Sequence, residues 1–166
     1  MTGALALLGL LTLQRVSELV IATRNTKMLL ARGAIEAGAG HYPVMVALHA
    51  TWLGTLWWLG HGRALVAPFV IAFTVLQFGR AWVLATLGAR WTTRVLIIPN
   101  EVPVTRGPFR FVRHPNYLVV ALELPCVSLA LGLGGHALLF GALNLAMLGW
   151  RIRVENRAFA RVAHAA

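Results

Sequence analysis

Residues 99–123, Pro-Asn-Glu-Val-Pro-Val-Thr-Arg-Gly-Pro-Phe-Arg-Phe-Val-Arg-His-Pro-Asn-Tyr-Leu-Val-Val-Ala-Leu-Glu, form a polar, basic, turn-rich stretch that runs without a break into an apolar segment. Proline is favoured in the first helical turn, where its missing N–H would have lacked a partner anyway. The reading therefore places Pro115 at the head of a helix and His114 at its N-terminal edge. Free N–H groups and the positive end of the helix dipole favour an anion there. Arg106, Arg110 and Arg113 add positive charge. The stretch reads as a loop that holds something anionic at the mouth of an apolar bundle.

Composition sets the bundle in a membrane. Hydrophobic residues make up 58% of the 166 and charged residues only 12%, whereas a soluble domain carries about 25% charged residues. The net charge of +10 raises the question of nucleic acid. The basic residues, however, sit in short clusters between apolar runs, and the aromatics lie in those runs rather than among the cations, so nucleic acid is excluded as partner. Cys126 is the single cysteine, which excludes an internal disulfide or a thiolate metal site. The first apolar run lacks a basic leader and a cleavage site and reads as a retained helix.

Five spans follow from apolar length, since a helix needs ~20 residues to cross the hydrocarbon. They run over about 4–22, 43–59, 64–87, 116–131 and 137–150, the last continuing as a basic helix over 151–163. Residues 23–41 read as a basic loop, and Trp52, Trp57 and Trp58 as an interfacial aromatic belt. Residues 88–116 read as a large polar loop, with β-favouring Thr92, Thr93, Val95, Ile97 and Ile98 before Pro99. Pro125 predicts a kink in the fourth span. The fold class is thus all-α, an integral-membrane bundle of five transmembrane helices in one domain over 1–166. Nearly all Lys and Arg fall in 23–42, 88–116 and the tail. The positive-inside rule then places the N-terminus outside, and the large loop and C-terminus in the cytoplasm.

Polar residues mark the candidate sites. Arg15 and Glu18, three apart, share a face of the first span and can pair. His49 lies within the second span, and Glu123 within the fourth, where an acid is a functional candidate by default. Arg113, His114, Pro115 and Tyr117 can meet Arg151, Glu155 and Asn156 at the open end of the hairpin formed by the last two spans. Cations, a carboxylate, an imidazole and an aromatic ring suit a zwitterionic cofactor bearing an ammonium and a carboxylate. The competing reading of the tail is a basic amphipathic helix lying on anionic lipid, which makes the chain a non-enzymatic membrane scaffold. Glu155 separates the two, because a lipid-binding tail needs no acid among its arginines.

The segment Thr105-Arg-Gly-Pro-Phe-Arg-Phe-Val-Arg-His-Pro-Asn-Tyr-Leu118, followed by Arg151-x-x-x-Glu155, resembles the isoprenylcysteine carboxyl methyltransferase family, whose superfamily includes phospholipid methyltransferases. The N-terminal half, with Gln14-Arg15, Glu18-Leu19, Arg24-Asn25 and His41-Tyr42-Pro43-x-Met45-Val46-x-Leu48-His49, is similar to the bacterial branch found beside type III polyketide synthases, which methylates alkylpyrones or phenolic lipids. The resemblance implies S-adenosylmethionine as cofactor at the cytoplasmic face of a bacterial inner membrane, held by Arg113, His114, Pro115, Tyr117, Arg151, Glu155 and Asn156. The family often has two adjacent glutamates where this chain has Glu155-Asn156. The function it implies is O-methylation of a lipophilic acceptor, an isoprenylcysteine-like carboxylate or a long-chain enol or phenol, with phospholipid N-methylation as the alternative. Arg113 is then the candidate to orient a carboxylate, Tyr117 to face the sulfonium, and Glu123 to act as base, because desolvation makes a carboxylate a better proton acceptor. Arg15, Glu18 and His49 are the candidate acceptor-pocket residues.

Overall fold

A computed structural model describes residues 2–99 and 104–165, with side chains to residue 160. Residues 100–103 of the expected polar loop, including Glu101 and Pro103, lie outside the described residues. The chain is all-α apart from one minimal ribbon. Its helices are α1 (Thr2–Ala31), α2 (Tyr42–Gly60), α3 (Ala67–Leu87), α4 (Pro115–Ala130) and α5 (Gly134–Ala165). Strands β1 (Ile35–Glu36) and β2 (Leu96–Ile97) pair antiparallel, Ile35 opposite Ile97. α1, α3 and α5 are each long and apolar enough to cross a membrane, and α4 is a shorter apolar helix. Exposed side chains such as Leu10, Trp58, Phe78 and Leu138 give the bundle the apolar outer surface that lipid requires.

Local signals explain the boundaries. Proline lies at the first or second position of α2, α3 and α4. α1 ends at Gly33, with φ +86°. There the Ala34 N–H donates to Leu29 O and the Gly33 N–H to Leu30 O, each at 3.0 Å, the paired closure that an αL glycine makes possible. Gly132 ends α4 in the same way, with Leu133 N donating to Ser128 O and Gly132 N to Leu129 O, each at 2.9 Å. The chain then turns straight into α5. α4 stays helical through Pro125, whose ring packs against the bare Gly141 of α5.

Two expectations are corrected. Residues 23–31 are not loop: α1 continues through them, because the capping glycine lies at 33 and bilayer thickness does not limit a helix that leaves the membrane. Trp52 is not part of an aromatic belt. It is fully buried among Leu8, Leu11, Leu56, Leu124, Val127 and Leu131, and its indole N–H donates to Ser128 Oγ at 3.4 Å. Helical phase turns it inward, whereas Trp58 is 76% exposed.

The helices alternate in direction. One end of the bundle gathers the α2–α3 and α4–α5 turns, tied by the Val66 N–H donating to Ala130 O at 2.9 Å. The other end gathers the extension of α1, the ribbon, the loop after α3, the start of α4 and the basic end of α5. The Asn25 amide donates to Trp91 O at 2.8 Å and Arg94 pairs with Glu36 at 2.7 Å. The Arg94 guanidinium also lies 4.3 Å from the centre of the Tyr42 ring. These contacts pin the loop after α3 onto the polar end. His41 is buried beside them, its ring 6.1 Å from that of Trp150 and both nitrogens without a partner among the described residues.

Burial, and then the nearby Arg151 guanidinium, lower the pKa of His41 below its usual value. The unfolded chain therefore binds this proton at a pH where the folded chain does not, and His41 costs stability as pH falls below about 6.5. Thermal midpoints in detergent should drop between about pH 7.5 and about pH 5.5, and His41→Phe should reduce that drop. An unaltered pH dependence in the variant would contradict this account. Trp52→Ala should cost roughly 3–5 kcal/mol by opening a cavity, and Trp58→Ala a few tenths; equal losses in thermal unfolding would contradict the placement of Trp52.

Candidate active site

Two polar layers lie within the bundle. The outer layer stands where α4 begins and α5 leaves the apolar zone. Tyr117, in the first turn of α4, donates its hydroxyl to Glu155 Oε2 at 2.6 Å and accepts from Arg151 Nε at 3.0 Å. Arg151 Nη1 lies 2.8 Å from Met45 Sδ. The His114 ring stacks on Tyr117 with centroids 5.3 Å apart, and its Nδ1 is 4.0 Å from Glu155 Oε2. The Arg113 guanidinium donates to Asn156 Oδ1 at 3.4 Å. Pro115 is buried as the first residue of α4. The residues expected to meet from the loop and from the tail therefore do meet. Asn156 keeps a partner despite lacking a carboxylate. Arg113, expected to orient a carboxylate, stands at the exposed rim.

The inner layer joins three helices. The Glu18 carboxylate of α1 receives Arg80 Nη1 of α3 at 3.1 and 3.0 Å, Arg15 Nη1 at 3.1 Å and Gln14 Nε2 at 3.0 Å. Glu123 of α4 receives both Arg15 Nη2 and Arg80 Nη2, and Gln77 Nε2 at 3.1 Å. Glu18, Arg80 and Glu123 are all buried. Two acids and two guanidiniums cancel, as burial in a low-dielectric interior demands. The expected Arg15–Glu18 pair is present within a larger network. Arg80 and Gln77 were legible as polar interruptions of the third span, but their partners were not.

A cavity of about 300 Å³ connects the layers. Tyr117, Asn116 and Arg151 line it on the outer side, and Arg15, Glu18, Arg80, His49 and Asn144 further in. Thr92, Thr93 and Tyr42 also line it, and the rest of its wall is apolar, with Trp52, Trp91, Leu53, Val120 and Leu148 among others. Val16 and Leu19 of α1 and Val46 of α2 line it and are also exposed on the bundle surface, so the cavity opens between α1 and α2 toward lipid. Glu123 is not among the lining residues. It is fully buried behind Arg15 and Arg80, and its oxygens are taken up by three donors, so the expected base is an anchor for the arginines. Asn144, a polar residue in the fifth span whose role the sequence did not disclose, donates to Val120 O at 3.1 Å. Arg113, His114, Pro115, Glu155 and Asn156 border the outer layer without lining the cavity.

The fold is a helical membrane bundle whose cavity carries charged side chains at both of its polar layers and apolar side chains between them. Residues 68–161 match the isoprenylcysteine carboxyl methyltransferase family, and the chain belongs to it. The uncharacterized protein YpbQ of Bacillus subtilis is 32% identical over 165 residues, covering 92% of this chain and 94% of that protein. An uncharacterized protein of Haemophilus influenzae is 27% identical over 154 residues, covering 89% and 90%. No solved structure matches the chain.

Removing one member of the inner network leaves a buried charge uncompensated, so Arg80→Met should cost roughly 3–5 kcal/mol. Arg80→Met with Glu123→Met restores neutrality and should recover much of that loss. Thermal unfolding of wild type, Arg80→Met, Glu123→Met and the double variant checks this, and a double variant as unstable as the summed singles would refute the neutral network.

Proposed function

We propose that the protein transfers a methyl group from S-adenosylmethionine to an oxygen of a lipophilic acceptor. The observation that carries the reading is a cavity bounded by Tyr117 and Arg151 at one end and open to the apolar surface between α1 and α2 at the other. The outer layer fits the cofactor by its donor set. Glu155 offers a carboxylate to an ammonium, and Arg151 and Arg113 offer cations to a carboxylate. His114 Nε2 and Asn116 Oδ1 are buried without a partner among the described residues, leaving hydrogen-bonding capacity for a ligand. When bound, S-adenosylmethionine supplies an electrophilic methyl group on a sulfonium. The chain's own work is to orient, to exclude water and to hold charge.

Tyr117, whose hydroxyl accepts from Arg151, donates to Glu155, so the carboxylate is held in place before a ligand arrives. Methyl transfer from a sulfonium neutralises charge, and a dry, apolar site favours it. The acceptor enters sideways from the bilayer past Val16, Leu19 and Val46, with its tail left in lipid and its head in the cavity. A long-chain enol or phenol and a prenylcysteine-like carboxylate both fit an apolar channel with cations at its inner end. Five crossings are proposed for the chain. Apart from Arg15 and Arg80 in the inner layer, Arg63 alone among the described cations lies at the far end, which puts the N-terminus outside and the cofactor site in the cytoplasm.

Calorimetric titration with S-adenosylhomocysteine tests the reading. Wild-type protein in detergent should bind saturably. Glu155→Gln should weaken binding by roughly tenfold or more, equivalent to about 1.4 kcal/mol, with its helical circular dichroism unchanged. A folded wild-type protein that shows no binding would overturn the proposal.

A further inference from the structure

Each acid and imidazole lining the cavity can be asked whether it has a lone pair to give. Both Glu18 oxygens are engaged by Arg15, Arg80 and Gln14. The Tyr117 hydroxyl is committed to Glu155 and Arg151. His49 differs. Its Nδ1 lies 2.9 Å from Met45 O, one helical turn back. A carbonyl oxygen only accepts, so Nδ1 carries the hydrogen and Nε2 is left with its lone pair. The ring makes no other hydrogen bond among the described residues and lines the cavity. Asn144 is fixed in the same manner. Its Nδ2 donates to Val120 O at 3.1 Å, which turns Oδ1 toward other partners, and Oδ1 is buried without one. Two backbone carbonyls thus set two unspent acceptors on one cavity wall, from α2 and from α5. Such a pair asks for a ligand that donates a hydrogen bond, which a carboxylate lacks and a hydroxyl has.

We propose that His49 Nε2 is the base that takes the proton from a hydroxyl acceptor, with Asn144 Oδ1 as a second contact for a donor group of that acceptor. The proposal rests on the methyltransferase reading and names its acceptor class as a phenol or enol. The acceptor's O–H bond breaks, its proton passes to Nε2, and the electron pair stays on oxygen. That oxygen forms the new bond to the methyl carbon as the carbon–sulfur bond breaks with its pair left on sulfur. The products are a methyl ether, a neutral thioether and an imidazolium, which gives its proton to water before the next cycle. The charged groups around His49 are Arg15 and Glu18 on α1, Arg80 on α3, Glu123 on α4 and Arg151 on α5. The inner four of these sum to zero and leave room for one transient positive charge.

The test compares wild type and His49→Gln as full-length protein in lipid nanodiscs, with two probes: a long-chain 4-alkylphenol and its far more acidic 2,6-dinitro derivative, which is ionised at neutral pH. His49→Gln should lower kcat on the alkylphenol by roughly 10²–10⁴-fold, the usual worth of a general base. The ratio of the two rates should therefore change, with transfer to the dinitro derivative reduced far less than transfer to the alkylphenol. Unaltered transfer to the alkylphenol, or equal loss on both probes, would overturn the assignment. The ¹⁵N spectrum of histidine-labelled protein gives a readout independent of turnover: the signal lost in His49→Gln should show an unprotonated Nε2 in the resting protein. A protonated Nε2 would also overturn it. Failure of wild type to bind S-adenosylhomocysteine would remove the underlying reading instead, and is distinguishable because neither the His49 spectrum nor the variant enters that measurement.

Discussion

The neutral network of Arg15, Glu18, Arg80 and Glu123 is the constraint on which the rest of the bundle depends. A charge carried alone into hydrocarbon is costly, so each of these residues requires the others. α1, α3 and α4 are thereby fixed in register: Glu18 and Glu123 are each reached by both arginines. Apolar packing alone allows a helix to slide or rotate by a residue at modest cost, whereas a four-charge network does not. Replacing such groups with apolar ones is often neutral or stabilising, so holding helices together is not a sufficient reason for it. Its place on the wall of the cavity is. Arg15, Glu18 and Arg80 line the inner end of the cavity, and Glu123 stands behind them as their anchor.

How much could be read from the chain follows from which interactions are local. The start of α4 was legible because Pro115 marks a first turn by its own chemistry, whereas α3 begins at Ala67, three residues after the expected start of its span. The meeting of Arg113-His114-Pro115-x-Tyr117 with Arg151-x-x-x-Glu155 was legible because a tight hairpin fixes where both motifs lie. α1 was cut short because membrane thickness was used as its ruler, while the glycine that stops it lies at residue 33. β2 was foreshadowed by Thr92 to Ile98. Its partner at Ile35–Glu36 was not, since a two-residue strand has no periodicity to read. Trp52 was assigned to a belt because composition at a span's end cannot say which way a side chain faces. Arg80 and Gln77 announced themselves by polarity within an apolar span, whereas Asn144 drew no reading; the partners of all three lie 24 or more residues away in sequence and are set by packing alone.

The family relationship and the geometry bear on different ends of the molecule. The family match covers residues 68–161, which includes the outer layer and excludes α1 and α2. Those two helices supply the opening toward lipid, one arginine and one acid of the inner network, and His49. Much of the cavity's wall toward its opening thus lies outside the residues that match the family.

The separation of the two layers has a chemical consequence. Tyr117 and Glu123 are six residues apart on one helix, about 9 Å along its axis. A cofactor held by the outer residues and an acceptor head held near the inner ones must therefore meet within the cavity, between the layers. That interval is walled by Trp52, Trp91, Val120 and Leu148, which exclude water and supply no competing nucleophile. Charge on both sides with an apolar gap between them suits a reaction in which a cation is neutralised, because the ground-state charge is stabilised at the ends and the reacting atoms sit where water is scarce. An imidazole tethered by its Nδ1 hydrogen to a helix carbonyl offers a base without an anion, held at the edge of the gap.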